Sequence, residues 1–152
     1  MSSISGIFFN APNTAIPRLV DAMNERLAHF KHDGVGAFHG DLVGLGNVKL
    51  NNTLESIKEV QPFTLSSVGL TITADARIDN RESLMSTLGI TDKTTPDGQI
   101  ILAAYSKWGK DCPSKFYGDF AFAIWNENEK ELFCARDHVG IKPLFYTKQD
   151  DL

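Results

Sequence analysis

A chain of 152 residues, 42% apolar and 22% charged, has the make-up of one globular domain with its own core. Its net charge of −4 and lack of any Lys/Arg-rich run leave nucleic-acid binding without electrostatic support, and its apolar runs are too short to span a bilayer. Two cysteines, Cys112 and Cys134, make no disulfide framework. The first residues, MSSISGIFFN, have neither a basic start nor a long apolar stretch, so no signal peptide and a reducing, cytoplasmic setting are expected.

Ile4 to Phe9 reads as a short apolar strand that pins the amino terminus inside the fold. Asn10 to Asn13 is a turn, and Pro17 suits the first turn of a helix with the stripe Ile16, Leu19, Val20, Met23, Leu27 and Phe30. Val35 to Phe38 and Leu42 to Leu50 form a Gly-rich hairpin around His39-Gly40. Asn51 to Lys58 is polar loop. A strand of alternating character covers Val68 to Ala74, followed by a capped turn from Asp75 to Arg81. Asn80 is placed to cap a helix through Leu88, with Gly89 at its exit. A second helix runs from Asp97 to Trp108 and stops at Gly109, with Asp97 where an N-cap belongs.

The stretch from Phe116 to Tyr146 organises the rest. Phe120 to Trp125 and Leu132 to Ala135 are apolar arms around the polar turn Asn126 to Lys130, a hairpin. Neither arm alternates, so both faces of the hairpin are expected to be covered, with Cys134 a buried small hydrophobe. A third short strand, Pro143 to Tyr146, follows a turn at Gly140. Strands followed by helices and then a strand meander indicate α+β, and doubly covered antiparallel strands suggest two stacked sheets between helices.

The sequence GDFAFAIW followed by ELFCARDHVGIKPLFY resembles the end of the N-terminal domain of asparagine synthetase-type enzymes, a class II glutamine amidotransferase. The resemblance implies an Ntn-hydrolase-like four-layer αββα sandwich of two antiparallel sheets over residues 1–152. Family chains run on past the point equivalent to Asp151-Leu152, so an incomplete second sheet is expected, and a fragment, a split gene product and a deliberately shortened chain are all open.

The same resemblance assigns site positions. The family's N-terminal Met-Cys-Gly-Ile corresponds to Met1-Ser2-Ser3-Ile4, which puts Ser2 at the nucleophile position, where a freed α-amine would serve as base. The oxyanion strand, Asn-Gly-Glu-Ile in the family, corresponds to Asp75-Ala76-Arg77-Ile78. Asp75 thus replaces a hydrogen-bond donor with an acceptor-only carboxylate, and Ala76 replaces a glycine. The Arg that grips the glutamine carboxylate aligns with Lys49, for which an exposed strand lysine is the plainer reading, and the Asp that pairs with its α-ammonium aligns with Asp97. Of the His-Arg-Gly-Pro-Asp-Gly segment only His29, Asp33 and Gly34 persist. The spacing of His29, His32 and His39 matches no standard metal site.

Framework residues match while chemical ones depart, as in the glutaminase-dead domains of β-lactam synthetases and lasso-peptide cyclases. The resemblance therefore implies a scaffold for an asparagine synthetase-like ligase domain, in the same or a neighbouring chain. No cofactor is expected in this domain, and ATP and Mg would belong to that partner. No metal, nucleic-acid or membrane partner is expected, and a homodimer is an open option. The rival reading is an active Ntn amidohydrolase that uses Ser2 as its N-terminal nucleophile.

Overall fold

The computed structural model describes residues 2–149. Ser3–Phe8 (β1), Gly34–His39 (β2) and Val43–Lys49 (β3) form an antiparallel sheet in the order β1-β3-β2. Phe63–Leu65 (β4), Leu70–Ile78 (β5), Gly118–Asn126 (β6) and Glu131–Arg136 (β7) form a second antiparallel sheet in chain order. Ile16–Leu27 (α1) lies on the outer face of the first sheet, and Arg81–Leu88 (α2) and Asp97–Trp108 (α3) lie on the outer face of the second. The result is the expected four-layer αββα sandwich.

Side-chain alternation decides which residues enter each layer. In β3, Val43 and Leu45 meet Ala123 and Trp125 of β6 between the sheets. The intervening Gly44 and Gly46 face α1, where a Cβ at Gly44 would collide with Val20 and one at Gly46 with Asn24. These glycines let the helix lie directly on the strand. In β5 and β6, Ile72, Ile78, Phe120, Phe122 and Ile124 join Ile100, Ile101 and Ala104 of α3 in the larger core.

The hairpin is β6–β7, with Trp125 opposite Leu132. Double coverage holds for β6, which is buried throughout its middle, but not for β7, whose side chains are all half-buried or exposed. β7 is the edge strand of its sheet, and Cys134, opposite Ala123 on the face towards the first sheet, is exposed there instead of buried, while Cys112 is fully buried. Pro143 to Tyr146 does not form the expected strand; it runs as coil with Phe145 and Tyr146 almost fully exposed. Its apolar run reads as a strand, but with Phe145 and Tyr146 left in solvent no burial draws it onto a sheet.

Two local readings also change. Polar residues do not end β5 at Ala74, because it stays paired with β6 as far as Ile78, opposite Gly118. Asn80 precedes α2, but its side chain makes no cap bond. Its Nδ2 donates to Lys115 O at 2.9 Å and its Oδ1 accepts from Tyr117 N at 3.0 Å, which ties the start of α2 to the approach to β6.

Candidate functional site

The start of β1, the end of β3 and the middle of β5 come together at one mouth of the sandwich, where Ser2 meets Asp75 and the end of β3 that carries Lys49. Strand alternation turns Asp75 towards the first sheet, like Thr73, whose hydroxyl donates to Gly46 O at 2.9 Å. Asp75 is buried, with only 7% of its surface exposed. Its Oδ1 accepts from Ser2 N at 3.3 Å, and its Oδ2 receives the Lys142 ammonium at 2.8 Å. Ser2 Oγ accepts from Leu50 N at 3.0 Å and lies 3.4 Å from Leu50 O, so the hydroxyl is engaged by the end of β3.

Ala76 belongs to the same strand, but its side chain lies on the helix face and packs against the α2/α3 core. Only its backbone borders the mouth. The amides of residues 74 and 78 are each capped by a side chain on the free edge of β5. Ala74 N donates to Gln61 Oε1 at 3.2 Å and Ile78 N to Asp97 Oδ2 at 3.0 Å. By alternation, the amide of Ala76 points to the same edge between them.

Lys49 is not an exposed strand lysine. Half-buried, it turns inward and donates to Ser56 O at 3.1 Å and Glu59 O at 2.7 Å. These carbonyls belong to the 3-10 turn Glu55–Lys58 and the residue after it, so the ammonium clamps the 51–60 loop over the mouth. Glu59 continues the clamp, because its Oε1 accepts from Gly98 N at 3.2 Å and Gln61 Nε2 at 3.0 Å. Burial pushes the Glu59 carboxyl above its usual range, against the pull of those two donors.

Asp97 is the first residue of α3 and does not cap it; Pro96 occupies the cap position. The Asp97 carboxylate instead joins β5 to α2, through Ile78 N and a 2.8 Å ion pair with Arg81 Nη1. Burial raises its carboxyl, and the Ile78 amide and Arg81 oppose that shift. Arg81 also donates to Lys93 O at 3.1 Å and Thr95 O at 2.8 Å. The carboxylate that the family resemblance assigns to a substrate ammonium therefore already holds an internal cation.

Sequence reading missed Lys142, Arg81, Glu59, Gln61 and Asn47. Lys142 carried one signal, a lone cation beside the apolar Pro143 to Tyr146. Asn47 Nδ2 donates to Thr73 Oγ1 and to Ala74 O, each at 3.2 Å, which links the two sheets behind the mouth. His29 and His32 bond to nearby backbone and His39 lies 4.0 Å from Asp21. Among the described residues no group of three or more His, Cys, Asp or Glu side chains converges as a metal would require. Two surface clefts, of about 520 Å³ beside Tyr105, Lys110 and Glu129 and about 310 Å³ beside Phe116, Tyr117 and His138, lie away from these residues.

Comparison with known proteins now decides the family. The model of the glutamine amidotransferase domain matches residues 1–152. The chain belongs to that family. It is 35% identical over 136 residues to asparagine synthetase [glutamine-hydrolyzing] 1 of Bacillus subtilis, covering 88% of this chain and 21% of the relative. It is 29% identical over 164 residues to the putative asparagine synthetase [glutamine-hydrolyzing] 2 of Methanocaldococcus jannaschii, covering 96% and 32%. It thus spans a fifth to a third of the length of these relatives. Glutamine phosphoribosylpyrophosphate amidotransferase from B. subtilis superposes with a TM-score of 0.63 at 16% identity, covering 90% of this chain and 37% of that one. That likeness shows the fold, an Ntn-hydrolase sandwich. Among the described residues no helix of this amidotransferase domain is long and apolar enough to cross a membrane.

Proposed function

We propose that this amidotransferase domain has lost glutaminase activity and acts as a scaffold beside an asparagine synthetase-related, ATP-dependent ligase domain. The partner forms the amide bond, as lasso-peptide macrolactam cyclases do, and ATP and Mg bind there. The observation that carries this reading is Asp75. The oxyanion of acyl transfer needs donors, and Asp75 offers a buried carboxylate already bonded to Lys142 and to Ser2 N. Loss of one donor alone typically costs about 100- to 1000-fold in rate. The internal engagement of Lys49 and Asp97 points the same way, since both would have to exchange partners to hold glutamine. The relatives named as synthetases support the choice of partner, as this chain covers only part of each.

The alternative, an active Ser2 amidohydrolase, needs a neutral α-amine at Ser2 as base. Were Met1 removed, that amine would lie beside the Asp75 carboxylate, which favours the protonated form. Intact-mass spectrometry addresses the first requirement, since retained Met1 blocks the amine.

The deciding assay measures glutamate release from glutamine by the unaltered domain, Ser2→Cys, and Ser2→Cys/Asp75→Asn/Ala76→Gly. No release is expected from the first two. Release by the unaltered domain that Ser2→Ala abolishes would overturn the proposal. The scaffold role predicts co-purification with a synthetase-type ligase, and a ligase unaffected in activity and solubility by the domain's deletion would remove it.

A further inference from the structure

We propose that Asp75, with Ser2 beside it, is a receptor for a primary ammonium group, and that Lys142 is a tethered internal ligand that keeps it occupied. The two halves of the pair are built differently. Asp75 sits on a paired strand, opposite Ala121 of β6, and the Ser2 amide orients its Oδ1 and leaves Oδ2 for a cation. Lys142 comes from outside either sheet, on the loop that follows β7, and reaches Oδ2 at 2.8 Å.

That loop does not depend on the ammonium for its shape. The Asp137 carboxylate organises it, accepting from Val139 N at 3.2 Å, Ile141 N at 2.8 Å and Lys142 N at 2.9 Å. Gly140 supplies the required positive φ of 73°. The loop can therefore keep its course while the side chain beyond Cβ and its charge are removed. What remains is a rigid, buried carboxylate with one oxygen unmatched, a state that strongly favours any cation able to enter. A single close contact to one oxygen suits a compact point charge, which a primary alkylammonium supplies and a guanidinium fork does not.

The test is chemical rescue of the full chain. Lys142→Ala deletes three methylenes and the ammonium, which n-propylammonium replaces atom for atom. The variant is expected to melt roughly 10 °C below the unaltered protein. At ten times its Kd, n-propylammonium should multiply the folded-to-unfolded ratio about tenfold and recover roughly 4 °C. Tetramethylammonium at equal concentration should recover nothing, and Asp75→Asn/Lys142→Ala should ignore both amines. A Lys142→Ala protein that is unmoved by n-propylammonium, or moved equally by the two amines, overturns the proposal. Should Lys142→Ala fail to fold, Lys142→Met keeps the volume and removes only the charge. Adding Asp75→Asn to it should restore the melting temperature, and no restoration counts against the receptor. Both readouts are melting temperatures, so they stand or fall independently of whether glutamine is hydrolysed.

Discussion

Replacing Asp97 by alanine distinguishes a cap from a cross-brace. An ordinary N-cap is worth about 1 kcal/mol, which would be the cost if Asp97 only began α3. The structure gives it two other tasks, accepting from Ile78 N at 3.0 Å and pairing with Arg81 at 2.8 Å. Removing the acceptor leaves a buried amide unsatisfied, at about 1–3 kcal/mol, and breaks a charge-assisted bond of about 1.5–3 kcal/mol. Arg81 keeps the carbonyls of Lys93 and Thr95 and is 19% exposed, so its loss is the smaller part. About 3 kcal/mol is therefore expected in urea unfolding at neutral pH, or roughly 6–12 °C in Tm. Asp97→Asn retains an acceptor for Ile78 N and should cost about half as much. In a double-mutant cycle Asp97→Asn and Arg81→Met should be strongly non-additive. An alanine cost of 1 kcal/mol or less, or additivity with Arg81→Met, would refute the brace.

Glu59→Gln should flatten part of the pH profile. With its folded-state pKa raised, Glu59 contributes stability that is fully present below its ordinary value of 4.5 and lost as pH rises through the folded value. Between pH 4.5 and 7 the unaltered protein should lose stability relative to Glu59→Gln, and parallel profiles in denaturant titrations would contradict this. Asp137 behaves oppositely: burial pushes its carboxyl up, but the backbone hydrogen bonds around it, led by the Lys142 and Ile141 amides, together outweigh that and the net shift is downward. Its contribution is present above 3.8 and fades as pH falls through the lower folded value. Asp137→Asn should cost about 2 kcal/mol at pH 7 and progressively less in acid, as followed by circular dichroism. Gly44→Val drives a side chain into Val20 and Ile16, and should lose about 3 kcal/mol or more by overpacking, whereas Gly89→Ala, with open space around its Cβ but φ 71°, should lose about 1. Equal thermal shifts for the two glycine variants would count against the helix–strand contact.

What could be read from the chain was whatever local chemistry determines. Pro96 and Gly109 bracket α3, so both of its ends fall where the sequence places them. The polar turn between two apolar arms sets the β6–β7 hairpin. Ser2 and Asp75 do come together, as the resemblance required, although 73 positions separate them. What was not legible depended on partners far along the chain. Lys49 looks like any strand lysine until the 56–59 backbone is folded over it. Asp97 looks like a cap because a cap and a brace use the same carboxylate. Asp75 to Ile78 looked like a turn because its polar residues are read singly, whereas pairing with β6 and closure by Gln61 and Asp97 keep it extended. Nothing local marked Lys142 as the partner of Asp75, since a loop 67 positions downstream delivers it.

The unequal placement of the two thiols gives the molecule an internal clock. Cys134 stands exposed on β7, where an alkylating reagent can reach it while the domain stays folded, although its flanking side chains desolvate the thiol and push its pKa up. Cys112 has no exposed surface and its thiol is pushed up to about 12 by burial, so it reacts only when the core between α3 and β6 opens. In one reaction mixture, the first modification reports how much protein is present and the second how often it opens. Under conditions where closing outruns alkylation, the Cys112 rate, scaled to that of the unfolded chain, measures the opening free energy without denaturant. Any change at the mouth of the sandwich can thus be weighed by its effect on a sulfur it never touches.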